Sequence, residues 1–146
     1  MKRVMVAVAL AATIGVAAYW RFGRGLPAID PADPAQVAQG QTLYGTHCAQ
    51  CHGPSLEGQP DWRTRLPNGR LPAPPHNAEG HTWHHADAVL FDLTKNGLAA
   101  VAPRGYQSDM PAFKDVLTDR DIAAILAFIK SWWPAEIQAR QARLNE

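Results

Sequence analysis

Cys48-Ala49-Gln50-Cys51-His52 decides how the rest of the chain is read. Two thiols three positions apart, followed at once by an imidazole, form the C-x-x-C-H pattern of covalent haem c attachment. The reason is local. The thiols reach the two vinyl groups on neighbouring edges of one porphyrin. The next side chain turns beneath the ring and offers a nitrogen to the iron. One turn of helix presents all three groups at this spacing. Rival uses of the pair fit less well. A structural zinc site calls for four ligands, and these are the chain's two cysteines. A thioredoxin-type pair calls for a βαβ context, and no such pattern surrounds it. Two cysteines also exclude a disulfide-rich scaffold. With both consumed as thioethers, no disulfide is expected.

The motif sits in 146 residues, one domain's worth. Hydrophobic residues make up 47% and charged residues 18%, a globular composition. Fourteen basic and 13 acidic residues give a net charge of +1 with no basic run, which argues against a nucleic-acid partner. The charge is unevenly placed. Lys2 and Arg3 precede an apolar run from Val4 to Trp20, and Arg21 and Arg24 follow it. Residues 1–26 hold four basic residues and no acid, so the remainder carries a net charge of −3.

That run lies between the length of a signal-peptide core, about 7–15 residues, and that of a membrane span, about 17–25. Tyr19 and Trp20 sit where an interfacial aromatic belt would lie, with Arg21 and Arg24 as a polar stop. Residues 1–26 are therefore expected to be an N-terminal transmembrane anchor. The alternative is a signal segment cleaved after Ala18, with Val16 two residues before it. Two basic residues on each side leave the positive-inside signal weak. The haem motif sets the orientation instead, because bacterial haem c is attached outside the cytoplasmic membrane. The expected location is the cytoplasmic membrane with residues 27–146 on the periplasmic side, or the soluble periplasm after cleavage.

The remaining pattern is all-α. Residues 27–34 hold three prolines and read as a tether, with Asp33-Pro34 suited to N-cap and first helical position. A helix is predicted over 35–46, with Val37, Leu43 and Tyr44 as its apolar members. Residues 53–80 show no helical period and contain six prolines and an Asn68-Gly69 turn. A loop of that length is uncommon unless it serves a purpose, and it reads as a wrap around a bound group. A third helix is expected over 85–96, with Val89, Leu90 and Leu93 on one face and Gly97 closing it. Residues 98–113 are again irregular. The clearest helix starts at Thr118, with Asp121 in the capping-box position. Its apolar stripe is Ile122, Ile125, Leu126, Ile129 and Trp132 or Trp133. Pro134 breaks it, and residues 134–146 are expected to be a partly exposed helical tail. Residues 35–133 then form the haem domain. No internal repeat, Rossmann, phosphate-loop or nucleophile-elbow signature is present.

Over about residues 34–133 the chain resembles a class I monohaem cytochrome c. The resemblance is carried by Gly40 and Tyr44, Cys48 to His52, Met110-Pro111-Ala112-Phe113, and Ile125 with Phe128. It implies the cytochrome c fold, three to five short helices around one covalently bound haem. It also implies that the first and last helices cross where Gly40 meets Phe128. Metal-bound imidazoles usually donate their second ring N–H. By resemblance the acceptor for His52 is a carbonyl of Leu71-Pro72-Ala73-Pro74-Pro75, on no single residue. The family's M-P-x-F pattern points to Met110 as the sixth iron ligand. The other methionines, Met1 and Met5, lie in the N-terminal segment. A thioether ligand raises the potential.

Histidines compete for that position. His47 is too close to Cys48 to reach the opposite face, whereas His84 or His85 would make a bis-His site. Trp62, Arg63, Arg65 and Trp83 are candidates for the propionate end, with ordinary packing or solvation as the plain alternative. His76, His81, His84 and His85 fall within ten residues. His81 and His85 would suit copper or zinc if helical. Their plain role is at a helix start, with His85 or Thr82 as cap and Trp83 packed near the haem. The expected function is one-electron transfer, without enzyme activity, between a redox donor and an acceptor, as a monomer or a subunit of a respiratory complex. The alternatives are a subunit of a dehydrogenase or oxidase, a haem enzyme or sensor with an open sixth site, and a metal-handling protein using the His81–His85 cluster.

Overall fold

The computed structural model describes residues 25–98 and 102–146, so the expected membrane segment lies outside the described residues save for Gly25 and Leu26. Among the described residues all regular structure is helical. None of these helices is long and apolar enough to cross a membrane.

Helix α1 spans Pro34–His47 and begins as the sequence predicts. The Asp33 carboxylate accepts from the Ala35 and Gln36 amides, and Pro34 needs no amide partner in the first turn. The preceding residues are tied down rather than loose. Gln36 accepts from the Asp30 amide and donates to the Ala28 carbonyl, both at 2.8 Å, and Ile29 packs on the core. Helix α2, Ala49–His52, follows directly, with Cys48 as the hinge between them.

The long segment 53–80 has no regular element but is cross-linked by its own backbone. Gly58 N–H donates to the His52 carbonyl at 2.7 Å, Gln59 N–H to Ala73 at 2.9 Å, and His76 N–H to Leu56 at 2.8 Å. Leu56 is wholly buried at their centre.

A 3₁₀ turn, Thr82–His84, leads to helix α3, Asp87–Asn96. This helix starts two residues later than its pattern suggests. Neither His85 nor Thr82 caps it; the N-cap is Ala86, with no side-chain hydrogen bond. Instead the Asp87 amide donates to the side-chain oxygen of Asn145 at 2.7 Å. The buried face is Leu90, Phe91 and Thr94, while Val89 is turned outward at 38% exposure. The Thr94 hydroxyl donates to the Leu90 carbonyl at 2.8 Å, which lets a polar residue replace Leu93 on the inner face. Gly97, at φ +83°, closes α3 with its amide on Leu93.

Helix α4, Asp119–Ser131, carries the capping box read in the sequence, Thr118 and Asp121 each accepting from the other's backbone amide. The Thr118 hydrogen bonds also hold the Asp121 carboxyl below its ordinary range. Burial extends beyond the predicted stripe. Every residue from Ile122 to Lys130 is buried, because small Ala123, Ala124 and Ala127 let neighbours close over the other faces. Trp133 is the buried member of the tryptophan pair, and Trp132 stays 48% exposed.

The α1–α4 contact is the largest between helices. A β-carbon on Gly40 would overlap the Ala124 carbonyl and press on Phe128, so only glycine allows this approach. Phe128 then packs on Tyr44 with ring centroids 5.3 Å apart.

Helix α5, Ala135–Ala142, and a last 3₁₀ turn, Arg143–Asn145, are mostly exposed, as expected of the tail. They are also docked by one wholly buried residue, Gln141. Its amide donates to Asp87 at 2.7 Å and to the His85 carbonyl at 3.1 Å. The buried Lys130 ammonium donates to both oxygens of the same Asp87 carboxylate at 2.8 Å.

Replacing Gly40 with valine should lower the stability of the haem-loaded protein by about 1–3 kcal/mol through overpacking. The denaturant midpoint reads this out; an unchanged midpoint would show that the helices can part without cost.

Candidate functional site

His52 ends α2 and is 7% exposed. Its Nδ1 lies 2.8 Å from the Pro74 carbonyl. A carbonyl only accepts, so Nδ1 carries the proton and Nε2 keeps a free lone pair. Burial lowers the pKa of His52, partly offset by the Pro74 hydrogen bond, which favours the neutral imidazole that metals bind. Among the five residues of the proline-rich run, Pro74 is therefore the one whose carbonyl accepts from His52.

Cys48 is half-buried and Cys51 exposed, and both are free thiols. Burial, with a contribution from nearby Cys51, pushes the Cys48 thiol up to about 11. The Tyr44 hydroxyl donates to the Gly53 carbonyl at 2.9 Å and so fixes the turn that follows His52. Burial raises its pKa well above the ordinary phenol range.

Met110 is half-buried and packs against the core cluster. Its amide donates to Ser108 Oγ at 3.1 Å, and the adjacent Asp109 pairs with Arg70. Beyond it, the Phe113 and Lys114 amides donate to Thr94 and Lys95 at 3.1 and 2.9 Å. The segment carrying Met110 is thus fastened to the end of α3.

The four histidines do not share one stack. His76 stacks on His52, centroids 4.0 Å apart and planes 23° apart. His81 stacks on Trp62 at 5.3 Å and meets His85 edge-on at 5.6 Å. His84 stacks on Trp83 at 3.7 Å. His81 precedes the 3₁₀ turn, so the helical i, i+4 geometry is not formed. Among the described residues no group of three or more His, Cys, Asp or Glu side chains is placed to hold a metal ion. The candidates for the propionate end are also dispersed. Arg63 lies over Trp62 at 4.2 Å, and Arg140 over Trp83 at 4.9 Å. Arg65 lines a separate cleft with Arg104 and Tyr106.

Sequence reading missed the partnership of His76 with His52. Its signal is positional: His76 lies two residues after the proline whose carbonyl holds His52.

The donor set fits covalent haem c. One helical turn offers two free thiols and a neutral imidazole whose outer nitrogen is unengaged. Short helices, a long cross-linked loop and this motif define a c-type haem domain. The chain matches the family model "Cytochrome c" over residues 37–133 and belongs to the cytochrome c family. It is 30% identical over 100 residues to the Cbb3-type cytochrome c oxidase subunit CcoP of Azospirillum sp. (strain B510), covering 67% of this chain and 29% of that subunit. It is 30% identical over 78 residues to cytochrome c-555 of Prosthecochloris aestuarii, covering 48% of this chain and 79% of that protein. The chain thus spans less than a third of the CcoP subunit. No solved structure gives a significant match. The cofactor of the family is covalent haem c, and Cys48 and Cys51 stand at its two attachment positions.

A Cys48→Ala/Cys51→Ala double variant should release its haem on denaturation, whereas wild type keeps it. Haem staining of a denaturing gel distinguishes them; a stained double variant would rule out thioether attachment.

Proposed function

We propose that this chain is a one-electron carrier with His52 and Met110 as axial ligands, held at the outer face of the cytoplasmic membrane. The observation that carries the ligand assignment is the Nδ1 bond of His52 to Pro74, which leaves Nε2 as the only free ring nitrogen. When bound, haem c supplies an iron that takes up and releases a single electron. His52 would hold the iron through Nε2. Met110 would supply its sulfur from a segment fastened to α3. Pro74 keeps the imidazole in one tautomer and orientation through the redox cycle. With both ligands kept in each oxidation state, little would rearrange on transfer and no position would be left open for a substrate. A thioether favours the ferrous state and raises the potential.

The similarity to cytochrome c-555 supports a carrier, and the similarity to CcoP supports a second reading as a subunit of an oxidase. Both require a redox donor and an acceptor. The apolar run 4–20, bounded by Arg21 and Arg24, supports a membrane anchor with the haem domain on the periplasmic side.

In a Met110→Ala variant the weak methionine-to-ferric-iron band at the red end of the spectrum should vanish. The ferrous form should bind carbon monoxide readily, and the midpoint potential should fall. A retained band would exclude Met110. Fractionation tests the anchor. The protein should partition with membranes, with an intact mass equal to the full chain plus one haem. A soluble protein lacking residues 1–18 would replace the anchor with a cleaved signal peptide.

A further inference from the structure

The Pro74 hydrogen bond holds the edge of the His52 ring but not its face. A ring tethered at one nitrogen can still swing about that bond. The face is met by His76, stacked at 4.0 Å. His76 is itself fixed from several directions. Its Nδ1 lies 2.8 Å from the Thr82 hydroxyl. Its backbone amide donates to Leu56, and its carbonyl accepts from the Trp133 indole, both at 2.8 Å. The Tyr44 ring stands edge-on to it at 6.4 Å. Thr82 is itself buried, so this hydroxyl–imidazole contact is shielded from water.

A plain apolar side chain could fill the same volume. It would lack the hydrogen bond that indexes the ring, and it would lack a π face. That face matters to the charge on the ligand. Oxidation places positive charge on the iron, and the axial imidazole shares it. The electron-rich face of a neighbouring ring attracts positive charge, and so favours the oxidised state.

We propose that His76 is a positioning residue for the axial imidazole, fixing the plane of His52 by stacking and lowering the midpoint potential. This rests on His52 being an iron ligand. It is separate from the Met110 assignment, which concerns the opposite face.

The test uses the full-length haem-loaded protein, with two readouts: the midpoint potential and the electron paramagnetic resonance g values of the ferric form, which depend on ligand-plane orientation. His76→Leu should raise the potential. At a fixed ambient potential the reduced-to-oxidised ratio should rise about two- to fivefold, the size of a cation–π contact. The g values should shift. His76→Phe, which keeps a ring face, should restore most of the wild-type g values. Thr82→Val removes the hydroxyl alone and should shift both readouts in the direction of His76→Leu, by less. A role in packing alone would lower the thermal midpoint of the variants and leave potential and g values at wild type; that outcome overturns the proposal. If His76→Leu fails to load haem, Thr82→Val decides, and unchanged values there overturn it equally. A wild-type ferric spectrum without a coordinated imidazole would instead overturn the ligand assignment of His52, a separable failure.

Discussion

The hydrogen bond from His52 Nδ1 to the Pro74 carbonyl joins two points 22 residues apart, and much of the structure between them is organised by it. A long segment without helix or strand would ordinarily leave backbone amides and carbonyls exposed to water or unpaired. Here the loop is folded back on itself so that its groups find partners within it. Ala73 both accepts from the Gln59 amide and donates to the Gln59 side chain. Leu56 accepts from the His76 and Asn77 amides. Leu56 holds a left-handed φ of +65°, a conformation that costs a branched residue energy. Its complete burial offsets that cost, and the result brings the proline run against the imidazole.

The second organising constraint is the close approach of α1 to α4 at Gly40. It places Tyr44 between the α4 aromatics and the haem motif, so that one side chain packs on Phe128 and hydrogen-bonds Gly53. The far end of α4 is held differently. Lys130, Asp87 and Gln141 form a shielded polar junction of α4, α3 and α5. A partly buried ion pair of this kind adds little net stability over apolar packing, but losing Asp87 would strand the buried Lys130 ammonium. Its value lies in register: it lets α5 dock in one way although the helix offers little apolar surface.

Legibility in the sequence followed the range of the interaction. Asp33-Pro34, the Thr118–Asp121 box and Gly97 act within a turn of helix, and each is where the pattern places it. The C-x-x-C-H motif is local for the same reason, since thiols and imidazole must serve one porphyrin. By contrast, five consecutive residues from Leu71 to Pro75 offer chemically equivalent carbonyls. Only the path of the folded loop selects Pro74. Lys130 pairs with a carboxylate 43 residues away and Gln141 with the same one 54 residues away. No periodicity encodes such pairings. The stacking of His76 on His52 is hidden for a related reason, because 24 residues separate the two rings along the chain and only packing brings them together.

The two sides of the proposed iron position are built unlike one another. On the His52 side, Pro74, His76, Tyr44, Thr82 and Trp133 form a contiguous set of aromatic contacts and hydrogen bonds with contributions from four parts of the chain. On the Met110 side, an irregular segment is fastened at Ser108, through Asp109 to Arg70, and beyond Met110 to Thr94 and Lys95 on α3. A rigid side suits the setting of a potential, because a fixed ring plane and a fixed hydrogen bond keep the ligand field constant between turnovers. The proposed Met110 ligand would thus be held through bonds to its neighbours along the chain, whereas His52 is held through its own ring.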